Sequence, residues 1–352
     1  MILIIAERED PHADQVARML EKRGVESVRF AQTDFPKRAE VSLSYSANGH
    51  AQHTLRVGSQ LVHLSQLQSV WYRLGAFPVP HDHLTEQHHR DYVAEESRCF
   101  LHDAWHSLDC HWIPAPHFVV QRAQLKSSQL KVAAELGFEL PPTLITNSPE
   151  DFLDFYREHN GQVVSKQAGF ALIRHGIGQY VRYTDVVSKR DVGYAHAVRY
   201  CPIIFQAYVP KRVELRITVV GKQVFPAEIR SQETNHTRHD WRRYDHFKTS
   251  YAPHPLPVEI GQRCAELVSR LGLNYGAIDM IVTPDGRYVF LEINPQGQCQ
   301  WIEEVTGLPI NEALCDLLTA SASVSGPAIS PSTLLREDQN DFSIQASTLC
   351  HA

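Results

Sequence analysis

The sequence has no basic excess, no long apolar run and no paired-cysteine pattern. Lys and Arg number 34 against 40 Asp and Glu, a net charge of −6 with neutral His. Dedicated nucleic-acid binders carry the opposite balance, so that class is set aside. No apolar run approaches the ~20 residues needed to cross a bilayer. Met1-Ile-Leu-Ile-Ile-Ala6 is too short for a signal peptide, and the charged Glu7-Arg8-Glu9-Asp10 follows at once. The seven cysteines (99, 110, 201, 264, 299, 315 and 350) are odd in number, scattered and never C-x-x-C. That fits reduced thiols rather than a disulfide frame. A cytoplasmic protein with no membrane and no nucleic-acid partner is expected. H-E-x-x-H, zinc-finger spacing and G-x-S-x-G are also missing, so 20 His do not add up to a metal site and no Ser elbow is read. There is no internal repeat.

What is present is a globular composition, 43% hydrophobic and 21% charged, across 352 residues, which calls for two or three packed domains. Residues 1–6 read as a buried strand, His12 to Arg23 as a helix and Val25 to Phe30 as a second strand, the opening of an α/β domain with a parallel sheet. Val41–Ser46 and His53–Val57 flank the hairpin signal Asn48-Gly49. Gln68–Arg73 reads as a strand and Leu84 to His106 as a long helix. Ser148-Pro149-Glu150 starts a helix that Asn160-Gly161 stops. The expected division is 1–120, 121–205 and 206–320. The Ser- and Pro-rich residues 321–352 lack periodicity and read as a mobile tail.

The chemistry is concentrated in two hairpins. In Gly276 to Pro295, Asp285-Gly286 marks the turn, and a two-residue loop pairs Pro284 with Arg287. That register sets Ile278 against Ile293, Met280 against Leu291 and Val282 against Val289, one apolar face. On the other face Asp279 stands opposite Glu292, with Asn294 two residues on. Facing carboxylates ~5 Å apart repel. A divalent cation with hard oxygen ligands accounts for them, as does a solvated acidic edge or a shared proton. In the second hairpin a three-residue loop, Gly221 to Gln223, would face Leu215, Ile217 and Val219 against Phe225, Ala227 and Ile229. It would then set Glu214 opposite Arg230 and Arg216 opposite Glu228, either a salt-bridge ladder or guanidiniums held for phosphate. Lys126 opens a helix and Lys166 ends a strand, each a point charge suited to polyphosphate or simply a surface residue. Residues 236–248 are basic and aromatic, a loop or a lid.

Lys126, Lys166, Phe205-Gln-Ala-Tyr-Val-Pro210, Glu214-Leu-Arg216, Ile229-Arg-Ser-Gln232 and Asp279…Glu292-Ile-Asn294 stand in the order of the ATP-grasp superfamily. Val70-Trp-Tyr-Arg73 and Asp240-Trp-Arg242 make the chain, over roughly residues 1–320, similar to the ligases that cyclise graspetides, the microviridin-type ribosomal peptides. The resemblance implies an α/β ATP-grasp fold behind an N-terminal parallel pre-ATP-grasp domain. It implies ATP and Mg²⁺, a ribosomal precursor peptide as substrate and a homodimer. By the same resemblance Lys126 and Lys166 contact the nucleotide, and the backbone of Gln206, Ala207, Tyr208 and Val209 reads adenine. Glu214 faces the ribose, Asp279, Glu292 and Asn294 hold Mg²⁺, and Arg216, Arg230 and Arg242 stabilise the transferring phosphoryl group. Three positions depart from the family pattern: Gln124-Leu125 before Lys126, Ala207 after Gln206, and Leu74 after Arg73. A ligase for free amino acids and a non-catalytic ATP-binding scaffold are the alternatives.

Overall fold

The computed structural model describes residues 1–73, 76–167, 169, 172–175, 178–233 and 249–320. The basic, aromatic residues 236–248, Arg242 among them, and the tail 321–352 lie outside them. The chain opens with β1 (Ile2–Ile5), α1 (Pro11–Lys22) and β2 (Ser27–Phe30). The meander β3 (Ala39–Tyr45), β4 (Ala51–Val57), β5 (Gln60–His63) follows, then β6 (Ser69–Tyr72), α2 (Gln87–His106) and β7 (His111–Ile113). Helices α3 (His117–Ala123) and α4 (Lys126–Glu135) lead to β8 (Thr143–Thr146), α5 (Pro149–Glu158) and β9 (Val163–Lys166). Next come the ribbon β10 (Leu172–His175) and β11 (Gly178–Val181), then β12 (Asp185–Val186), α6 (Lys189–Gly193) and β13 (Ile203–Ala207). The chain continues through β14 (Val213–Val220), β15 (Gln223–Ile229), β16 (Tyr251–Pro253), α7 (Val258–Arg270), β17 (Tyr275–Val282) and β18 (Tyr288–Asn294). Helices α8 (Gln300–Thr306) and α9 (Ile310–Thr319) close it. No helix among the described residues is long and apolar enough to cross a membrane.

The N-terminal sheet, β2-β1-β6-β7, is parallel throughout, as the β-α-β opening requires. Asp10 caps α1 by accepting from the His12 and Ala13 N–H groups, and Pro11 follows at the first helical position. The smaller antiparallel sheet β12-β9-β13-β8 packs on α5 through Phe152, Val163 and Phe205. The larger, β16-β15-β14-β17-β18, is antiparallel and covered on both faces.

Both hairpin registers differ from the sequence reading. Val220 pairs with Gln223 across a two-residue loop, so Glu214 faces Ile229 and Arg216 faces Ala227. The expected Glu214–Arg230 and Arg216–Glu228 ladder is therefore absent. The expectation assumed one apolar face. Instead, Leu215, Ile217 and Val219 pack under α7 with Cys264, Leu267 and Val268. Val220, Phe225 and Ala227 lie on the opposite face, under α8 and α9 with Ile302, Leu314 and Leu318. Two apolar faces mean that alternation within each strand no longer fixes the parity of their pairing.

The β17–β18 hairpin turns through three residues, Pro284 to Gly286. Thr283 N–H donates to the Arg287 carbonyl at 3.0 Å, and Gly286 adopts φ +86°, a backbone shape disfavoured for side chains with a Cβ. This pairs Val282 with Tyr288 and Met280 with Phe290, not with Val289 and Leu291. A bulge beside Asp279 then restores the expected pairs, Asp279 with Glu292 and Ile278 with Ile293. Leu291 is the extra residue of that bulge, so it leaves the core.

The cluster under α8 and α9 also takes in Ile2, Ile4, Val16, Leu20 and Trp71, which welds the N-terminal sheet to the large sheet. A buried polar group lies in the same weld. Arg73 donates to Asp10 at 2.6 Å, and both are nearly buried. His12 Nε2 lies 2.7 Å from Asn311 Oδ1 on α9. Burial, followed by the Arg73 charge, pushes His12 down to about 4. Unfolding frees His12 to titrate at its ordinary value near 6.5, so the unfolded chain holds the extra proton between those limits. Stability is therefore predicted to fall as pH drops from about 6.5 to about 4. In His12→Gln the slope should shrink by up to ~1.4 kcal/mol per pH unit, one proton's worth. Urea unfolding across that range checks this; an unchanged slope would show that His12 does not hold its proton off.

Candidate active site

A cleft of ≈ 680 Å³ opens between the two antiparallel sheets. One wall comes from Pro141, Val164, Lys166, Thr184 and the segment Gln206 to Val209. The other comes from Lys211, Glu214, Asp279, Ile281, Leu291 and Glu292. Its apolar side chains make a slot between the sheets, and its carboxylates, Glu214, Asp279 and Glu292, gather on the large sheet.

The polar end rests on the register just described. Asp279 and Glu292 are direct partners. Two carboxylates ~5 Å apart repel by about 3 kcal/mol at an effective dielectric of ~20. Each has its own cation. Arg216 Nη1 donates to both Asp279 oxygens at 3.0 Å, with both side chains largely buried. Lys126 Nζ lies 2.7 Å from Glu292 Oε2. Asn294 follows on the same face; its Oδ1 accepts the Gln296 N–H at 3.0 Å, which bends the chain into the next loop. Two carboxylates and an amide oxygen are a hard donor set that fits Mg²⁺. Among the described residues no group of three or more His, Cys, Asp or Glu is placed to hold a metal.

Position matters as much as charge here. Gln129 on α4 is buried and clamps β18: its Nε2 donates to the Ile293 carbonyl and its Oε1 accepts the Ile293 N–H. That clamp holds Lys126, one turn earlier on the same helix, against Glu292. Behind Arg216 the chain passes so close at Gly297 that a Cβ would stand 2.5 Å from Arg216 Nη2. The Tyr275 hydroxyl donates to the Gly297 carbonyl and pins that strap. Arg216 Nε is buried with no hydrogen-bond partner among the described residues.

Of the residues named from sequence, Lys166, Gln206, Ala207, Tyr208, Val209, Glu214, Asp279 and Glu292 line one cleft. Lys126 and Arg216 touch its carboxylates. Arg230 does not line it. Its guanidinium sits on Glu228, at 2.9 Å and 3.0 Å, and is half exposed. Burial raises the Glu228 carboxyl, but hydrogen bonds from His254 and Arg230 outweigh this and hold it below its usual range. Ala207 and Tyr208 N–H groups are already engaged by the Pro142 and Gln162 carbonyls, at 2.9 Å and 2.8 Å. Sequence reasoning missed Lys211, whose ammonium is buried 2.8 Å from Glu214. It also missed Gln129, Leu291 and Gly297. The signal for Lys211 was its i, i+3 spacing from Glu214; the bulge hid Leu291.

The family model described as the MvdD pre-ATP grasp domain matches residues 1–118. Among solved structures, macrocyclase MdnC of Microcystis aeruginosa MRC, bound to precursor peptide MdnA, is 32% identical. The match covers 90% of this chain and 98% of that one, with a TM-score of 0.80. A RiPP-associated ATP-grasp ligase of Chryseobacterium gregarium, in complex with ADP and a leader and core peptide, is also 32% identical. Coverage there is 90% and 96%, with a TM-score of 0.83. Macrocyclase MdnB of the same Microcystis strain is 31% identical over 90% and 98%, with a TM-score of 0.75. No curated protein matches. At this identity, over nearly the whole of each relative, the chain belongs to the ATP-grasp ligases of the graspetide, microviridin-type macrocyclase family.

Proposed function

We propose that this enzyme uses ATP to phosphorylate Asp or Glu side chains of a ribosomal precursor peptide and closes ester rings on Ser or Thr, or amide rings on Lys. The observation that carries the reading is the facing pair Asp279 and Glu292, each with its own cation, at the polar end of an apolar slot. The precursor peptide and ADP in the solved relatives support it.

In this reading adenine lies in the apolar slot, read by the carbonyls of the 206–209 segment and by the Val209 N–H. Glu214 meets the ribose, with Lys211 holding it in place. Lys166 and Lys126 meet the phosphates as point charges. Asp279, Glu292 and Asn294 would hold Mg²⁺, which when bound neutralises phosphate charge. A peptide carboxylate oxygen attacks the γ-phosphorus and ADP leaves. A hydroxyl or amine of the same peptide then attacks the acyl carbon, losing its proton, and phosphate leaves. The chain supplies position and fixed charge: Arg216 stands rigid beside Asp279, aimed at the transferring group. Arg230 joins by exchanging Glu228 for phosphate oxygens, and Arg242 completes the cationic set. A homodimer belongs to the same reading.

The reaction removes one water from the peptide per ring. Mass spectrometry after incubation with ATP and Mg²⁺ should show that loss from an acidic precursor; intact mass in every such peptide would sink the ring chemistry. Asp279→Asn and Glu292→Gln should each slow ADP release about 100-fold or more, with a melting midpoint near that of the parent. Full activity in both would remove the metal assignment. Gly297→Ala would set its Cβ against both the Ala277 Cβ and Arg216 Nη2, so it should displace the strap and Arg216 together and lower kcat at least about tenfold, with little change in KM for ATP. A change in KM alone would place Arg216 in ground-state binding instead.

A further inference from the structure

A second cavity, of ≈ 910 Å³, shares no lining residue with the nucleotide cleft. It lies against the same catalytic end. Gln124 and Gln296 both line it and are hydrogen-bonded to each other at 3.3 Å. Gln124 stands two residues before Lys126, and Gln296 two residues after Asn294. The far wall belongs to the N-terminal part of the chain and to α2 and α3. It carries Arg98, His102 and His117. The His102 and His117 rings are 4.3 Å apart, and His117 meets the edge of Tyr72 at 5.3 Å. Phe77, largely exposed, forms an apolar lip.

The charge of this cavity is one-sided. None of its lining residues is an Asp or Glu. Glu95 on α2 accepts from Arg98 at two points, Nε at 3.0 Å and Nη2, so an entering carboxylate would share that guanidinium with it. Burial, then His102, His106 and Arg98, pushes His117 down to about 4. Burial is the first cause for both rings, His102 also being lowered, and an entering carboxylate would favour their protonated forms. Four glutamines line it, Gln32, Gln121, Gln124 and Gln296, and such side chains offer paired donors and acceptors of the kind that match peptide amides.

We propose that this cavity receives an acidic stretch of the peptide substrate, its carboxylates meeting Arg98 and the His102–His117 pair and its backbone meeting Gln124 and Gln296. The inference rests on the reading of the substrate as an acidic peptide. It adds the route by which that peptide reaches the phosphoryl end: from the cavity beside Gln296, not through the nucleotide cleft. Arg98, His117 and Gln121 then act as specificity-determining residues on the wall of the reaction chamber.

The test measures fluorescence anisotropy of fluorescein-labelled hexaglutamate with the full chain, hexaglutamine serving as the neutral control. Arg98→Gln, His117→Phe and Gln121→Glu should each weaken hexaglutamate binding at least about fivefold. Affinity for ADP, measured by calorimetry, should stay within about twofold. Gln121 is exposed, so Gln121→Glu adds the wrong charge without touching the core. The inference is overturned if the parent binds hexaglutamate no better than hexaglutamine or if the variants bind like the parent. An equal fall in ADP affinity overturns it too, since the anion would then sit in the nucleotide cleft. These outcomes are separable from the ring chemistry: water loss from a precursor with unaltered hexaglutamate binding in the variants would refute the cavity alone.

Discussion

Two like charges held face to face organise this protein. Asp279 and Glu292 are cross-strand partners whose register holds them side by side at the cleft, Asp279 buried and Glu292 partly so. The structure answers with two cations on different elements, Arg216 on β14 and Lys126 on α4. Each needs its own support. The Gly297 strap closes over Arg216, and Gln129 ties the Lys126 helix to β18. Charge, clamp and strap converge on one end of one cleft, where a polyanion and a divalent cation would complete the balance.

The large sheet makes this possible by dividing a single face. Toward one end its upper side is apolar, with Val220, Phe225, Ala227 and Tyr275 packed under α8 and α9. Toward the other end the same side turns polar, with Glu214, Asp279 and Glu292 lining the cleft and Arg216 paired with Asp279. The apolar end fixes the sheet to the N-terminal domain, so the polar end is presented by a rigid base. The Asp10–Arg73 pair and His12 lie inside that weld rather than on a surface. This explains where Trp71 and Arg73 belong: they stabilise the joint between domains, with the Arg73 guanidinium 5.7 Å from the Trp71 ring.

Much of this was legible in the sequence. The parallel opening, the helix caps and both hairpins follow from local patterns, and the Asp279–Glu292 pairing was read correctly. It survived because two errors cancelled. The turn holds three residues rather than two, and the bulge beside Asp279 takes the slip back. Where no second irregularity intervened, as between β14 and β15, the register failed, since apolar residues on both faces left its parity open. The short elements β5, β7, α3 and α8 carry too few residues to show a period. Lys211 was missed because a Lys in an irregular linker resembles surface, and only the closing of two sheets around it buries its ammonium on Glu214. Gln129 was missed because a polar residue on a helix reads as solvent-facing until its two bonds to a neighbouring strand are seen.

The central claim is that Asp279 and Glu292 face each other in order to hold a divalent cation against a nucleotide. Electron paramagnetic resonance of Mn²⁺, titrated into the full chain with ADP present, tests it most directly. The account predicts that the parent binds Mn²⁺ in an ADP-dependent way and that Glu292→Gln and Asp279→Asn, still folded, lose this binding. Equal Mn²⁺ binding by parent and variants would contradict it.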